Sequence, residues 1–162
     1  MHRDELAAWL RLLLTPHIGA GTARQLLAAF GLPQQVFEAG TPALQALLTS
    51  AQVEALRRIP ADLPAQVEAT LAWLADAAGG DGLTRRVITL ADADYPPALL
   101  QVEDPPLVLF VTGAPLAAGG APWPAQALAM VGSRNPTPQG AQTARQFARS
   151  FAAEGWTVVS GL

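Results

Sequence analysis

The stretch Ala129-Met130-Val131-Gly132-Ser133-Arg134-Asn135-Pro136-Thr137-Pro138-Gln139-Gly140 decides the fold. An apolar run enters Gly132-Ser133-Arg134, and a proline-flanked loop then starts a helix. Thr137 suits the N-cap and Pro138 the first helical position. The helix is expected over about residues 138–153 and ends at Gly155; Trp156-Thr157-Val158-Val159 then supplies a strand that runs into Ser160-Gly161. Strand, helix and strand make one βαβ unit. Both strand ends fall at one sheet edge, where open parallel sheets bind ligands. Free N–H groups and the dipole at the helix start, with the Arg134 guanidinium, favour an anion there, most of all a phosphate. The alternative is that Gly132 only makes a tight turn and Arg134 is solvated.

Two familiar phosphate motifs do not fit. The spacing from Gly132 is not G-x-G-x-x-G, and the second strand ends in Ser160-Gly161 rather than in a ribose-binding acid. A G-x-x-x-x-G-K-[ST] loop is excluded because the chain contains no lysine. Ala144, Phe147, Ala148, Phe151 and Ala152 form the expected inner stripe of the helix, which leaves Arg145 and Arg149 outward as solvated charges.

Upstream the pattern differs. Residues 1–80 read as helical: Leu6, Trp9, Leu10, Leu13 and Leu14 recur at helical spacing, and further helices are expected over 22–30, 33–39 and 64–78. Thr41 and Ser50 serve as caps for two more. Gly79-Gly80-Asp81-Gly82 marks the boundary between a domain at 1–80 and one at 81–162. Beyond it, residues 87–90 and 107–111 are short β-rich runs, and a loop over 117–124 carries Trp123, the one aromatic placed to stack on a base. Trp9, Trp73 and Phe110 lie in apolar patterns and are expected in the core. Consecutive prolines fix φ, so Tyr95-Pro96-Pro97 and Asp104-Pro105-Pro106 read as architecture rather than as sites.

Composition narrows the class. With 51% hydrophobic residues the 162-residue chain can bury a core, and zero cysteines exclude a disulfide scaffold and any thiolate metal site. His2 and His17 do not make a zinc site, no metal or cofactor is implied, and no run reaches membrane-spanning length. The charged start, Met1-His2-Arg3-Asp4-Glu5, is not a secretory signal, and the protein reads as soluble and cytoplasmic. A net charge of −3 argues against a generally basic DNA coat. Residues 123–162, however, set Arg134, Arg145 and Arg149 against Glu154 alone, so nucleic-acid affinity would come from a local pocket. Ser133 and Ser160 lack a histidine partner, so no catalytic constellation is legible and an enzyme is not expected.

Four motifs occur in one order: Asp94-Tyr95-Pro96-Pro97-Ala98-Leu99, Asp104-Pro105-Pro106-Leu107-Val108-Leu109-Phe110 with Gly113, Val131-Gly132-Ser133-Arg134 with Thr137 and Gly140, and Gly155-Trp156-Thr157-Val158-Val159-Ser160-Gly161-Leu162. From about Arg85 onward the chain thereby resembles the DNA-processing protein A (DprA, or Smf) family. The resemblance implies an α/β fold in which an all-helical, SAM-like (sterile-alpha-motif-like) domain precedes a Rossmann-like parallel-sheet domain. It implies binding of single-stranded DNA, loading of the RecA recombinase during natural transformation, and a homodimer for the full-length protein. By the same resemblance Arg134 is the basic residue of a DNA-phosphate pocket shaped by Gly132, Ser133, Thr137 and Gly140, and bordered by Ser160 and Gly161. In the family a Gly-Ile-Asp segment follows Ser-Gly-Leu, so the chain looks like a fragment whose Rossmann-like domain is truncated at Leu162.

Thr15-Pro16-His17-Ile18-Gly19-Ala20-Gly21-Thr22-Ala23 resembles a helix-hairpin-helix turn, with His17 where that motif carries its first glycine. The plainer reading is an αα-hairpin whose glycines only permit the turn. Two other functions stay open at this level. One is a nucleotide-binding enzyme like the lysine-decarboxylase-like phosphoribohydrolases, which would need a Pro-Gly-Gly-x-Gly-Thr segment that the sequence lacks. The other is a fragment without activity of its own.

Overall fold

A computed structural model describes residues 1–76, 82–114 and 123–161. The protein is a mixed helix and sheet structure that divides into two compact units, Met1–Pro115 and Leu116–Leu162.

The first unit begins with six helices: α1 (Arg3–Leu14), α2 (Ala20–Phe30), α3 (Pro33–Glu38), α4 (Thr41–Gln45), α5 (Ser50–Arg57) and α6 (Leu63–Ala75). Helix α1 is buried along two stripes. Trp9 and Leu12 join one cluster with Ile18, Leu26, Val36 and Leu56, while Leu6 and Leu10 join another with Leu63 and Val67. Leu12 is therefore interior and Leu13, expected inward, is 42% exposed. A helix between two clusters buries a wider arc than one amphipathic stripe predicts. The cap of α5 is Thr49, one residue before the expected Ser50: its hydroxyl accepts from the Gln52 N–H, and the Gln52 side-chain oxygen accepts from the Thr49 N–H.

Two strands, β1 (Thr84–Thr89) and β2 (Val108–Gly113), pair antiparallel from Thr84↔Gly113 to Thr89↔Val108. They fold with the helices. Leu107 is a member of the Trp9 cluster, and Val87 packs on the Leu6 cluster. The expected domain boundary at 80/81 lies outside the described residues, as does the part of the expected loop over 117–122. The glycine cluster does not separate two cores, because the hydrophobic residues that follow it complete the helical one. Phe110, expected in the core, is 49% exposed and meets Trp73 edge-on at 5.5 Å.

The proline motifs are architectural, as their composition suggests. The connection from β1 to β2 turns on Asp92, whose carboxylate accepts from the Thr89 N–H and hydroxyl, and passes through a 3₁₀ turn at Pro97–Gln101. The buried Tyr95 donates its hydroxyl to the Pro106 carbonyl at 2.7 Å. Arg24 of α2 pairs with Asp104 and donates to the Pro105 carbonyl.

The second unit holds β3 (Ala127–Ala129), α7 (Pro138–Ala153) and β4 (Thr157–Val159), with β3 and β4 parallel in the register Ala127↔Thr157 to Ala129↔Val159. This is the βαβ unit expected from the sequence. Helix α7 starts on the Thr137 cap, whose hydroxyl accepts from the Gly140 N–H at 3.1 Å. It ends in a Schellman turn: Gly155 has φ +86°, its N–H donates to the Ala152 carbonyl, and that of Trp156 donates to Phe151.

Candidate functional site: a cavity at the strand ends of the second unit

Hydrogen bonds continue the β3–β4 pairing past its last strand residues, with the Met130 N–H donating to the Val159 carbonyl at 2.7 Å. The register therefore carries Gly132-Ser133 and Ser160-Gly161 to one end of the two-stranded sheet. A cavity of about 590 Å³ opens there. Its walls are Met130 to Ser133 from the β3 end, Val158 from β4 and Ser160 just past it, Pro136 and Thr137 from the loop, and Gly140, Ala141, Ala144, Arg145 and Ala148 from α7.

Of the sequence-derived site residues, Gly132, Ser133, Thr137, Gly140 and Ser160 line this cavity together, while Arg134 and Gly161 do not. Arg145 does line it, although the sequence placed it on the outer, solvated face. The reason is helical phase. Positions 141, 144 and 148 turn to the cavity, and 145 lies at the edge of that face, within reach of a long side chain. Phe147 instead stacks on Phe151, with centroids 6.3 Å apart, and stays 55% exposed.

The backbone donors at the start of α7 are fewer than the helix position alone suggests. Pro138 has no N–H, Thr137 takes the Gly140 donor, and Ala141 donates to the Thr137 carbonyl. Gln139 keeps the free first-turn N–H among the described residues. Ser133 accepts from the Asn135 N–H at 3.1 Å, which tightens the loop. A side chain at Gly132 or Gly161 would meet nothing within 4 Å, and neither residue has a positive φ. Neither glycine is required by packing among the described residues, and their backbone is open to an approaching group.

Charge separates the two units. In the first, Arg3 pairs with Glu68, Arg24 with Asp104, Arg58 with Glu54, Arg85 with Asp76 and Arg86 with Asp94. Arg11 donates to the Leu56 carbonyl and lies 4.0 Å from the Phe37 ring centre, and Arg57 donates to the carbonyls of Phe37 and Ala39. Burial, with Arg57 adding to it, lowers the Arg11 pKa. In the second unit Arg134, Arg145 and Arg149 make no ion pair or side-chain hydrogen bond among the described residues, and Glu154 is that unit's lone acid. A concavity of about 440 Å³ in the first unit includes His17, Glu54 and Arg58, but its ionic groups already pair with each other. The cavity in the second unit is lined by Arg145, which makes no ion pair among the described residues. Among the described residues no helix is long and apolar enough to cross a membrane.

The second unit is thus a parallel βαβ unit with a cavity at its strand ends that Arg145 lines. Comparison with known proteins gives a family match over part of the chain: residues 86–162 match the family described as DNA recombination-mediator protein A. The chain is 36% identical over 76 residues to the DNA processing protein DprA of Bacillus subtilis (strain 168). That alignment covers 46% of this chain and 24% of the relative, so the chain spans about a quarter of its length.

Proposed function

We propose that this chain is part of a recombination mediator that holds single-stranded DNA by its phosphates at the strand ends of the second unit. The pocket is formed by Gly132, Ser133, Thr137, Gly140 and Ser160, with Gly161 at its border and Arg134 supplying charge. The observation that carries this reading is the segregation of charge: the arginines of the first unit are engaged within it, whereas those of the second make no ion pair among the described residues and one of them, Arg145, lines the cavity. In this reading the βαβ unit begins a Rossmann-like sheet and helices α1–α6 form an accessory SAM-like module. RecA as partner, a homodimer of the full-length protein and a cytoplasmic location complete the proposal and rest on the family resemblance. The role is binding rather than catalysis.

Titration of a fluorescein-labelled oligothymidylate at two salt concentrations tests it. Arg134→Ala is expected to weaken binding by about tenfold to a hundredfold, the worth of one charge-assisted hydrogen bond of about 1.5–3 kcal/mol. It should also flatten the salt dependence by about 0.7 of a log unit per decade. The side chain is exposed, so helical circular dichroism should not change. An unaltered affinity would sink the assignment of Arg134.

A further inference from the structure

Arg145 is the arginine the cavity itself contains. The lining positions 137, 140, 141, 144, 145 and 148 extend for about three turns, or roughly 16 Å, along α7, so the concavity reaches well beyond the loop at the helix start. Its floor there is Ala141, Ala144 and Ala148, with Met130, Val131 and Val158 opposite, and Arg145 is the one cation on that length. Among the described residues no carboxylate pairs with it, and the second unit's own acid, Glu154, lies beyond the far end of the helix, about nine residues or 13 Å along the axis. Arg149, one turn further on, does not line the cavity.

We infer that Arg145 is a second phosphate-binding residue, and that the bound strand runs from the Gly132–Arg134 loop along α7 to reach it. The inference rests on the single-stranded-DNA reading of the same site. Small side chains along the helix let the strand lie close to it, and two arginines on different elements hold two phosphates of one strand. A guanidinium on the rigid helix then fixes the path of the DNA, while Arg134 holds it at the loop.

The test is oligothymidylate binding by the whole chain carrying Arg145→Ala, Arg145→Lys, Arg149→Ala or Arg134→Ala, at several salt concentrations. Arg145→Ala should weaken binding about tenfold or more and reduce the salt slope by about 0.7. Arg145→Lys should restore the slope and only part of the affinity, because lysine keeps the charge without the guanidinium fork. Arg149→Ala should leave both unchanged. Equal losses for Arg145→Ala and Arg149→Ala would overturn the inference in favour of a diffuse positive field. A loss at Arg134 with none at Arg145 would overturn it while leaving the proposed site standing. No loss at either would remove both.

Discussion

Tyr95 is the chain's single tyrosine, and it is buried with its hydroxyl on the Pro106 carbonyl. That one bond ties the two proline motifs together. Burial raises the phenol's pKa, and the charge of Arg24 opposes this weakly. A group whose folded pKa is raised contributes stability that is whole below its unfolded value, near 10, and is lost as pH climbs through the folded value. Because no other tyrosine absorbs, a spectrophotometric titration of phenolate reads Tyr95 alone. It should show an ionisation above about 10 that coincides with loss of tertiary structure. Tyr95→Phe should remove that ionisation and cost about 0.5–1.5 kcal/mol at neutral pH. A phenol titrating at its ordinary value in the folded protein would contradict the burial. The structural character of these motifs was legible, since paired prolines fix a backbone wherever they stand. Arg145 was not legible: helical phase puts it at the edge of the stripe, and only the position of the neighbouring sheet decides what lies beyond that edge.

The same contrast holds between elements. Helix α7 was readable end to end, because the Thr137 cap, Pro138 and Gly155 act within a few residues of themselves. The pairing of β1 with β2 and the burial of Leu107 depend on residues far away in sequence, and nothing local announces them. The turn between α1 and α2 falls between these cases. His17, which stands where a helix-hairpin-helix turn has glycine, adopts φ +64°, the one described non-glycine residue with a positive φ. The backbone there has the glycine conformation without the glycine. A left-handed residue with a Cβ costs about 1–2 kcal/mol, and glycine gives back about 0.5–1 through its freer unfolded chain. His17→Gly should therefore stabilise the first unit by about 0.5–1 kcal/mol, seen as a higher urea midpoint. The Gln52 amide donates to the His17 backbone carbonyl, so the substitution leaves that bond in place. A lower midpoint would mean that the imidazole contributes packing that outweighs the strain.

At the scale of the molecule, the change from helical periodicity to β-rich runs was plain in the sequence and suggested two modules split at the glycine cluster. Periodicity reports what each element is, not which core it enters. Leu107 is 3% exposed in the cluster of Trp9, Leu12 and Leu26, Leu90 and Val108 pack against that cluster, and Val87 covers the second cluster of α1 and α6. Arg24–Asp104 and the Arg85 bond to the Trp73 carbonyl tie the strand pair to the helices at the surface. Helices α1–α6 and the β1–β2 pair should accordingly melt as one cooperative unit. Leu107→Ala, which lies outside every helix, should destabilise those helices by about 2–5 kcal/mol through the lost contact and the residual cavity. For a unit of this size that lowers the melting temperature by of the order of 10 °C, followed by circular dichroism at 222 nm. The helical signal of α7 belongs to the other unit, so a variant truncated after residue 114 isolates the transition. If Leu107→Ala leaves the 222 nm melt of that shorter chain in place, the helices fold on their own. The division at the glycine cluster would then be the true one, since a side chain whose loss the helices do not feel cannot be part of their core.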